Sequence, residues 1–223
     1  MKRGLTGVDS DGGLLLHQDL HLVGPVSAGG ALRDAAARRE AAPWRHAVER
    51  EAEVRLGSKD DAIAWERTDN GGLPSAGLLL WAGDRGYRVV NIVPLETSEL
   101  TIQQYNAILA EFVALIAAPA AAEAGFDVEM SGGRQTLEDW VSPRAAHALR
   151  TFALTANRAT GSSHPVDRRR WIQFLLADRA RDLMGAERLE RWLVEVADFG
   201  EEVAGRLVSQ YEFARDLLEA DRG

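Results

Sequence analysis

Two spacings of apolar residues run through this chain. Leu78 to Trp81 and Tyr87 to Val93 are β-prone runs flanking Gly83, Asp84, Arg85 and Gly86, which is the composition of a β-hairpin with its turn. The segment FDVEM, Phe126 to Met130, alternates apolar and polar side chains as a third strand would. Between them Ile102, Tyr105, Leu109, Phe112, Val113 and Ile116 share one stripe at helical period, wide enough to pack against the hairpin. Thr101 and Gln104 form a capping box and Leu100 and Tyr105 a hydrophobic staple, so the helix starts at Ile102; Pro119 kinks or ends it.

From Thr136 onward the helical period takes over. Ser142 followed by Pro143 is an N-cap with proline at the first helical position, opening a helix that Ala145 to Arg158 continue towards Gly161. Trp171 to Met184 read as a further helix. In the tail, Leu189, Trp192, Leu193 and Val196 make one stripe and Val203, Leu207, Tyr211, Ala214 and Leu218 another. Phe199 and Gly200 separate the two, so a helical hairpin is expected.

Upstream the pattern is weaker. From Ala31 the chain is helix-forming, with Pro43 as a kink or as the first-turn proline of a second helix. Asp61 to Thr68 fits helix or strand equally, and Asn70 to Gly77 reads as a loop. Residues 1–30 hold no sustained period and read as a flexible N-terminal segment, with Gly24 to Gly30 as a linker. The expected class is α+β: a β-hairpin, helix and strand unit over 31–133, then a mainly α-helical region over 134–223, the two sharing one core or abutting.

Composition narrows the function classes. The 223 residues include no cysteine, which removes disulfides, thiolate zinc sites and cysteine nucleophiles and makes a reducing cytoplasm the expected compartment. The first residues lack the apolar core of a secretory signal, and no apolar stretch is read as approaching the roughly 20 residues that span a bilayer, so no membrane partner is expected. Only Lys2 and Lys59 are lysines, a usage that fits a GC-rich bacterial genome. The net charge of −8 opposes wholesale nucleic-acid binding.

That charge is unevenly spread. Between Val141 and Asp182, eight arginines stand against three aspartates, a local balance of +5 that leaves −13 for the rest of the chain. The centre of this region is TGSSHPVDRRRW, Thr160 to Trp171. Pro165 suits the first turn of the helix carrying Trp171, so the free amides of that turn lie beside Ser162, Ser163 and His164 and would attract an anion, with Arg158, Arg168 and Arg169 as its cationic neighbours. The plainer reading is that serine and proline simply begin a helix, with Asp167 complementing the dipole and the arginines paired to carboxylates elsewhere. Ser162, Ser163 and His164 as a catalytic set are disfavoured, because sequence neighbours seldom reach one another side chain to side chain and no GxSxG elbow surrounds them.

Other candidates are thinner. His17 and His21 have the spacing of a metal pair only if HQDLH is helical, and Asp9 to Gly13 fails as a calcium loop because leucines stand where glycine and glutamate are needed. The last hairpin is too acidic for a DNA-reading helix-turn-helix, and Trp140, Trp171, Trp192 and Tyr211 lie on core stripes rather than on a base-stacking platform.

The segments TGSSHPVDRRRWIQFL, WLVEVADF and YEFARDLL, with a fainter echo in VVNIVPLETSELTIQQYNAILAEF, resemble a group of bacterial proteins to which no activity is attached. The resemblance implies a shared fold and brings no activity, cofactor or site residue with it. The reading from the residues is a non-enzymatic cytoplasmic binding or regulatory protein, of antitoxin, immunity or defence-accessory type, working on another protein through segregated charge and needing no cofactor. The alternative is an enzyme or sensor for a phosphate-bearing small molecule or nucleic acid, built on Ser162 to Arg170.

Overall fold

The computed structural model of the protein describes residues 12–57, 61–96, 99–177 and 184–220. It divides into two compact units, Leu15–Gly133 and a second made of Met1–Leu14 with Arg134–Gly223. Helices and antiparallel strands are mixed as expected for the α+β class.

After β1 (Leu14–Leu15) come β2 (Leu20–Val23), α1 (Gly29–Ala37), β3 (Trp44–His46), α2 (Val48–Gly57), β4 (Ala62–Arg67), β5 (Ala76–Gly83), β6 (Gly86–Pro94), α3 (Ile102–Phe112), α4 (Ala118–Ala124) and β7 (Asp127–Met130). Six of these strands form one antiparallel sheet in the order β3-β4-β5-β6-β2-β7. The hairpin β5–β6 turns at Asp84 and Arg85, inside the run that the sequence marks for it.

Residues 12–30 correct the expectation of a flexible N-terminal segment, while 1–11 lie outside the described residues. Leu20–Val23 is an interior strand, His21 pairing with Arg88 on one side and Glu129 on the other. The physical reason is visible in LHLV: Leu20 and Leu22 are fully buried and His21 is exposed, a strand alternation too short to stand out beside the surrounding glycine and aspartate. Gly86 makes the pairing possible. At φ 130° it brings the β6 backbone so close to β2 that a Cβ would sit 2.1 Å from the Leu22 carbonyl oxygen.

Pro43 neither kinks a helix nor opens one. The Ala42–Pro43 peptide is cis, α1 has ended at Ala37, and Trp44 enters the sheet as β3 opposite Arg67. Past the end of β3 a side chain continues the ladder: Ala47 N donates to the Ala64 carbonyl at 2.9 Å and Ala64 N donates to the buried Glu51 carboxylate at 3.0 Å. The Asp61 to Thr68 ambiguity resolves as strand, and Ala62 to Trp65 are all buried, which explains why no alternation shows.

Helix α3 begins at Ile102 under its capping box, with Gln104 N donating to Thr101 Oγ1 at 3.2 Å and Thr101 N donating to Gln104 Oε1 at 2.9 Å. It does not stop at Pro119. A π turn, Val113–Ala117, carries it into α4, giving a 23-residue helix from Ile102 to Ala124 that is long and apolar enough to cross a membrane. This corrects the reading that no stretch approaches that length. Ile108, Leu109, Phe112, Ile116, Ala117, Ala120 and Ala121 are buried in the core with the sheet, which is the environment of a core helix. Phe112 sits 5.0 Å from the Trp44 ring and 5.9 Å from the Trp65 ring.

The second unit is mainly helical: β8 (Arg134–Gln135), then α5 (Leu137–Trp140), α6 (Pro143–Thr155), α7 (Pro165–Ala177), α8 (Ala186–Arg191) and α9 (Glu201–Ala220). Ser142 caps α6 by accepting from Ala145 N at 3.2 Å, with Pro143 in the first turn. A run of rings fills the core: Phe152 to Trp171 at 5.0 Å, Trp171 to Phe174 at 5.2 Å, Phe174 to Tyr211 at 6.0 Å and Phe152 to Phe199 at 5.8 Å. Helix α8 continues through a π turn, Trp192–Val196, and the chain turns at Asp198 and Phe199 into α9, forming the expected hairpin. The expected helix over Trp171 to Met184 starts earlier, at Pro165, and its 178–183 portion lies outside the described residues.

Candidate interaction face on helix α7

The stretch from Thr160 to Trp171 is a helix entry whose parts are largely used within the unit. Gly161, at φ 59°, lets the chain reverse against α9, where a Cβ would lie 2.8 Å from Val203 Cγ1. Ser162 is buried, and its hydroxyl donates to Gln210 Oε1 at 2.9 Å. The Ser163 hydroxyl donates to the Thr160 carbonyl at 2.8 Å, and His164 Nδ1 accepts from Val166 N at 3.3 Å, so the ring caps the helix it precedes. Serine and histidine side chains therefore point to different partners and share no proton path. Asp167, also buried, occupies the first turn and holds Arg170 Nη1 at 2.9 Å.

The arginines separate into two groups. Arg158 lies 4.5 Å above the Phe199 ring and donates from Nη1 to the Ala153 carbonyl at the end of α6, so it is spent on the unit's own packing. Arg150 grips Glu138 with both terminal nitrogens, Nη2 donating at 2.6 Å. By contrast Arg144, Arg168 and Arg169 are exposed and form no ion pair among the described residues, while Arg179 and Arg181 lie outside them.

The Arg150 guanidinium holds the Glu138 carboxyl down at about 2, chiefly through the hydrogen bond to it, which outweighs the opposing effect of burial, with a backbone hydrogen bond and the guanidinium charge lowering it further. A depressed carboxyl stabilises the fold above its unfolded pKa and ceases to do so as pH falls through the folded value. The pair's contribution is thus present above about pH 4.5 and lost towards about pH 2. Both side chains are more than a third exposed, so water and salt screen it to a modest size. Titration of the Glu138 carboxyl by NMR should show a midpoint near 2 that returns to about 4.5 in Arg150→Gln, with little change in unfolding midpoint.

Arg168 and Arg169 stand beside an apolar ridge. On α7 the inward face carries Asp167, Trp171 and Phe174, and the opposite face carries Arg169, Ile172 and Leu176 at i, i+3 and i+7, with Arg168 and Gln173 on either flank. Ile172 is 45% and Leu176 54% exposed. Sequence reasoning singled out the arginines and missed the two aliphatics; their spacing from Arg169 was the signal that could have found them.

Other candidate groups are dispersed or internal. His17 lies in the connection between β1 and β2 and His21 in β2, so the helical metal-pair geometry does not form. Among the described residues no three of His, Asp and Glu gather closely enough to hold a metal. Trp140, Trp171, Trp192 and Tyr211 are each buried. In the other unit, a partly buried network with no signal in the sequence joins His46 Nε2, donating to Glu51 at 2.5 Å, with Arg33, Asp61 and the Tyr87 hydroxyl, which donates to Asp61 at 2.7 Å. It ties α1 and α2 to the strands. Comparison with known proteins assigns none of these features: no protein-family model, no curated protein and no solved structure matches the chain.

Proposed function

We propose that this is a non-enzymatic binding or regulatory protein that engages another protein through the outer face of α7. The observation that carries the reading is the pairing of two uncommitted guanidinium groups, Arg168 and Arg169, with the half-exposed Ile172 and Leu176 on one helical face. Removing those aliphatics from water is worth roughly 1 kcal/mol each at their present exposure, and the arginines add steering and orientation. The matching partner is a protein segment that presents carboxylates beside apolar side chains. Supporting this over a reaction, the Ser162, Ser163 and His164 side chains are occupied by Gln210, Thr160 and Val166.

The test places a photo-crosslinking residue at the exposed Gln173 and irradiates native lysate. A discrete adduct is expected with the otherwise unaltered protein and a loss of at least about tenfold with Ile172→Asp, Leu176→Asp. An adduct indifferent to that double substitution overturns the reading. So does thermal stabilisation by nucleotides, sulfate or oligonucleotides that vanishes in Arg168→Ala, Arg169→Ala, which would move the face to the anion-binding alternative.

A further inference from the structure

We infer that the partner of the α7 face is a second copy of this chain, docked through α9; this rests on the reading of α7 as a protein-binding face and names its occupant. The outer face of α9 has the complementary composition. Phe213 is 65% and Leu217 55% exposed, one turn apart, and the exposed carboxylates of Glu212 and Asp216 lie beside them at the same spacing. Neither carboxylate forms an ion pair among the described residues. Two free guanidinium groups next to two aliphatic side chains on α7 thus face a counterpart of two free carboxylates next to Phe213 and Leu217 on α9.

One molecule cannot bring these faces together. Helices α7 and α9 meet through their inward sides, where Phe174 stacks on Tyr211 at 6.0 Å, and that contact turns Arg169, Ile172 and Leu176 on one helix and Phe213 and Leu217 on the other towards solvent. Complementary faces left open within a unit are satisfied between units. Because the two faces lie on opposite sides of the unit, the contact is head to tail, setting α7 of one copy on α9 of the next, so that copies add in series. Charge also restricts the choice. At −8 per chain, two copies repel wherever acidic surfaces meet, and α7 is an exposed face on which free arginines prevail.

Sedimentation velocity on the full chain, at tens to hundreds of micromolar, tests the inference. The unaltered protein should sediment as oligomers that grow with concentration, and Arg168→Glu, Arg169→Glu and Glu212→Arg, Asp216→Arg should each weaken the association by roughly tenfold or more while helical circular dichroism stays constant. An equal mixture of the two variants should regain the oligomers, because every contact between unlike variants then joins opposite charges. A monomer at every concentration, oligomers that survive either reversal, or a mixture that stays monomeric overturns the proposal. The crosslink at Gln173 separates the two claims: a monomer that still yields an adduct sensitive to Ile172→Asp, Leu176→Asp keeps α7 as a binding face and removes the second copy as its occupant.

Discussion

Arg67→Ala should lower the stability of the Leu15–Gly133 unit by about 3–5 kcal/mol, the cost of breaking a buried and multiply bonded ion pair. Arg67 is 1% exposed. Its Nε and Nη2 donate to the two oxygens of Glu111 at 2.8 and 3.2 Å, while Nη1 reaches the Leu73 carbonyl at 2.8 Å and Nη2 the Asn70 carbonyl at 2.9 Å. Thr68 and Pro74 offer their carbonyls to Nη1 as well, and Trp44 Nε1 donates to the same carboxylate at 3.0 Å. Alanine takes the guanidinium from all of these acceptors at once, leaving Glu111 only the Trp44 indole, and opens a cavity beneath β3 and β4. Glu111 keeps water on one side, which moves the loss to the lower part of the range. Arg67→Lys should recover only a fraction, since one ammonium cannot serve a planar fork of acceptors. A fall in urea midpoint worth less than about 1 kcal/mol would show that the guanidinium is not a keystone of the unit.

Gly86→Ala should be comparably damaging, at about 3 kcal/mol or more, through the backbone rather than a side chain. The added Cβ would meet Leu22 O at 2.1 Å on the neighbouring strand and Gly24 N at 3.0 Å just past its end, at a φ of 130° that L-residues rarely adopt. Nothing flexible stands in the way to give ground. Strand β2 must move off β6, and the amides of Leu20 to Val23 should lose hydrogen-exchange protection. Gly83→Ala, at the other end of the same turn, supplies the contrast: no atom lies within 4 Å of its Cβ, so stability should hardly change. Equal losses at the two glycines would refute the backbone argument.

Elements with local causes were legible in the sequence, and elements with distant causes were not. The start of α3 at Ile102 follows from Thr101 and Gln104, and the start of α6 from Ser142 and Pro143, because a cap is decided within one turn of chain. Strand β2 escaped because its partners are far along the sequence, and β3 because three residues after a proline carry no period. For the candidate site, counting charges found the arginine excess but could not show how it is spent. Glu138 lies just outside the counted stretch, while Arg158 is satisfied by an aromatic face and a backbone carbonyl, neither of which carries formal charge.

The position of β2 also sets the order in which a growing chain can close its sheet. Leu20–Val23 leaves the ribosome ahead of every other strand of that sheet, yet it lies between Gly86–Arg88 and Asp127–Met130. The hairpin of β5 and β6 can form as soon as it emerges, but Leu20 and Leu22 wait for it with their apolar side chains uncovered. Until Met130 is made, one edge of β2 stays open to any strand that passes, so the nascent chain is most exposed to mispairing over that interval.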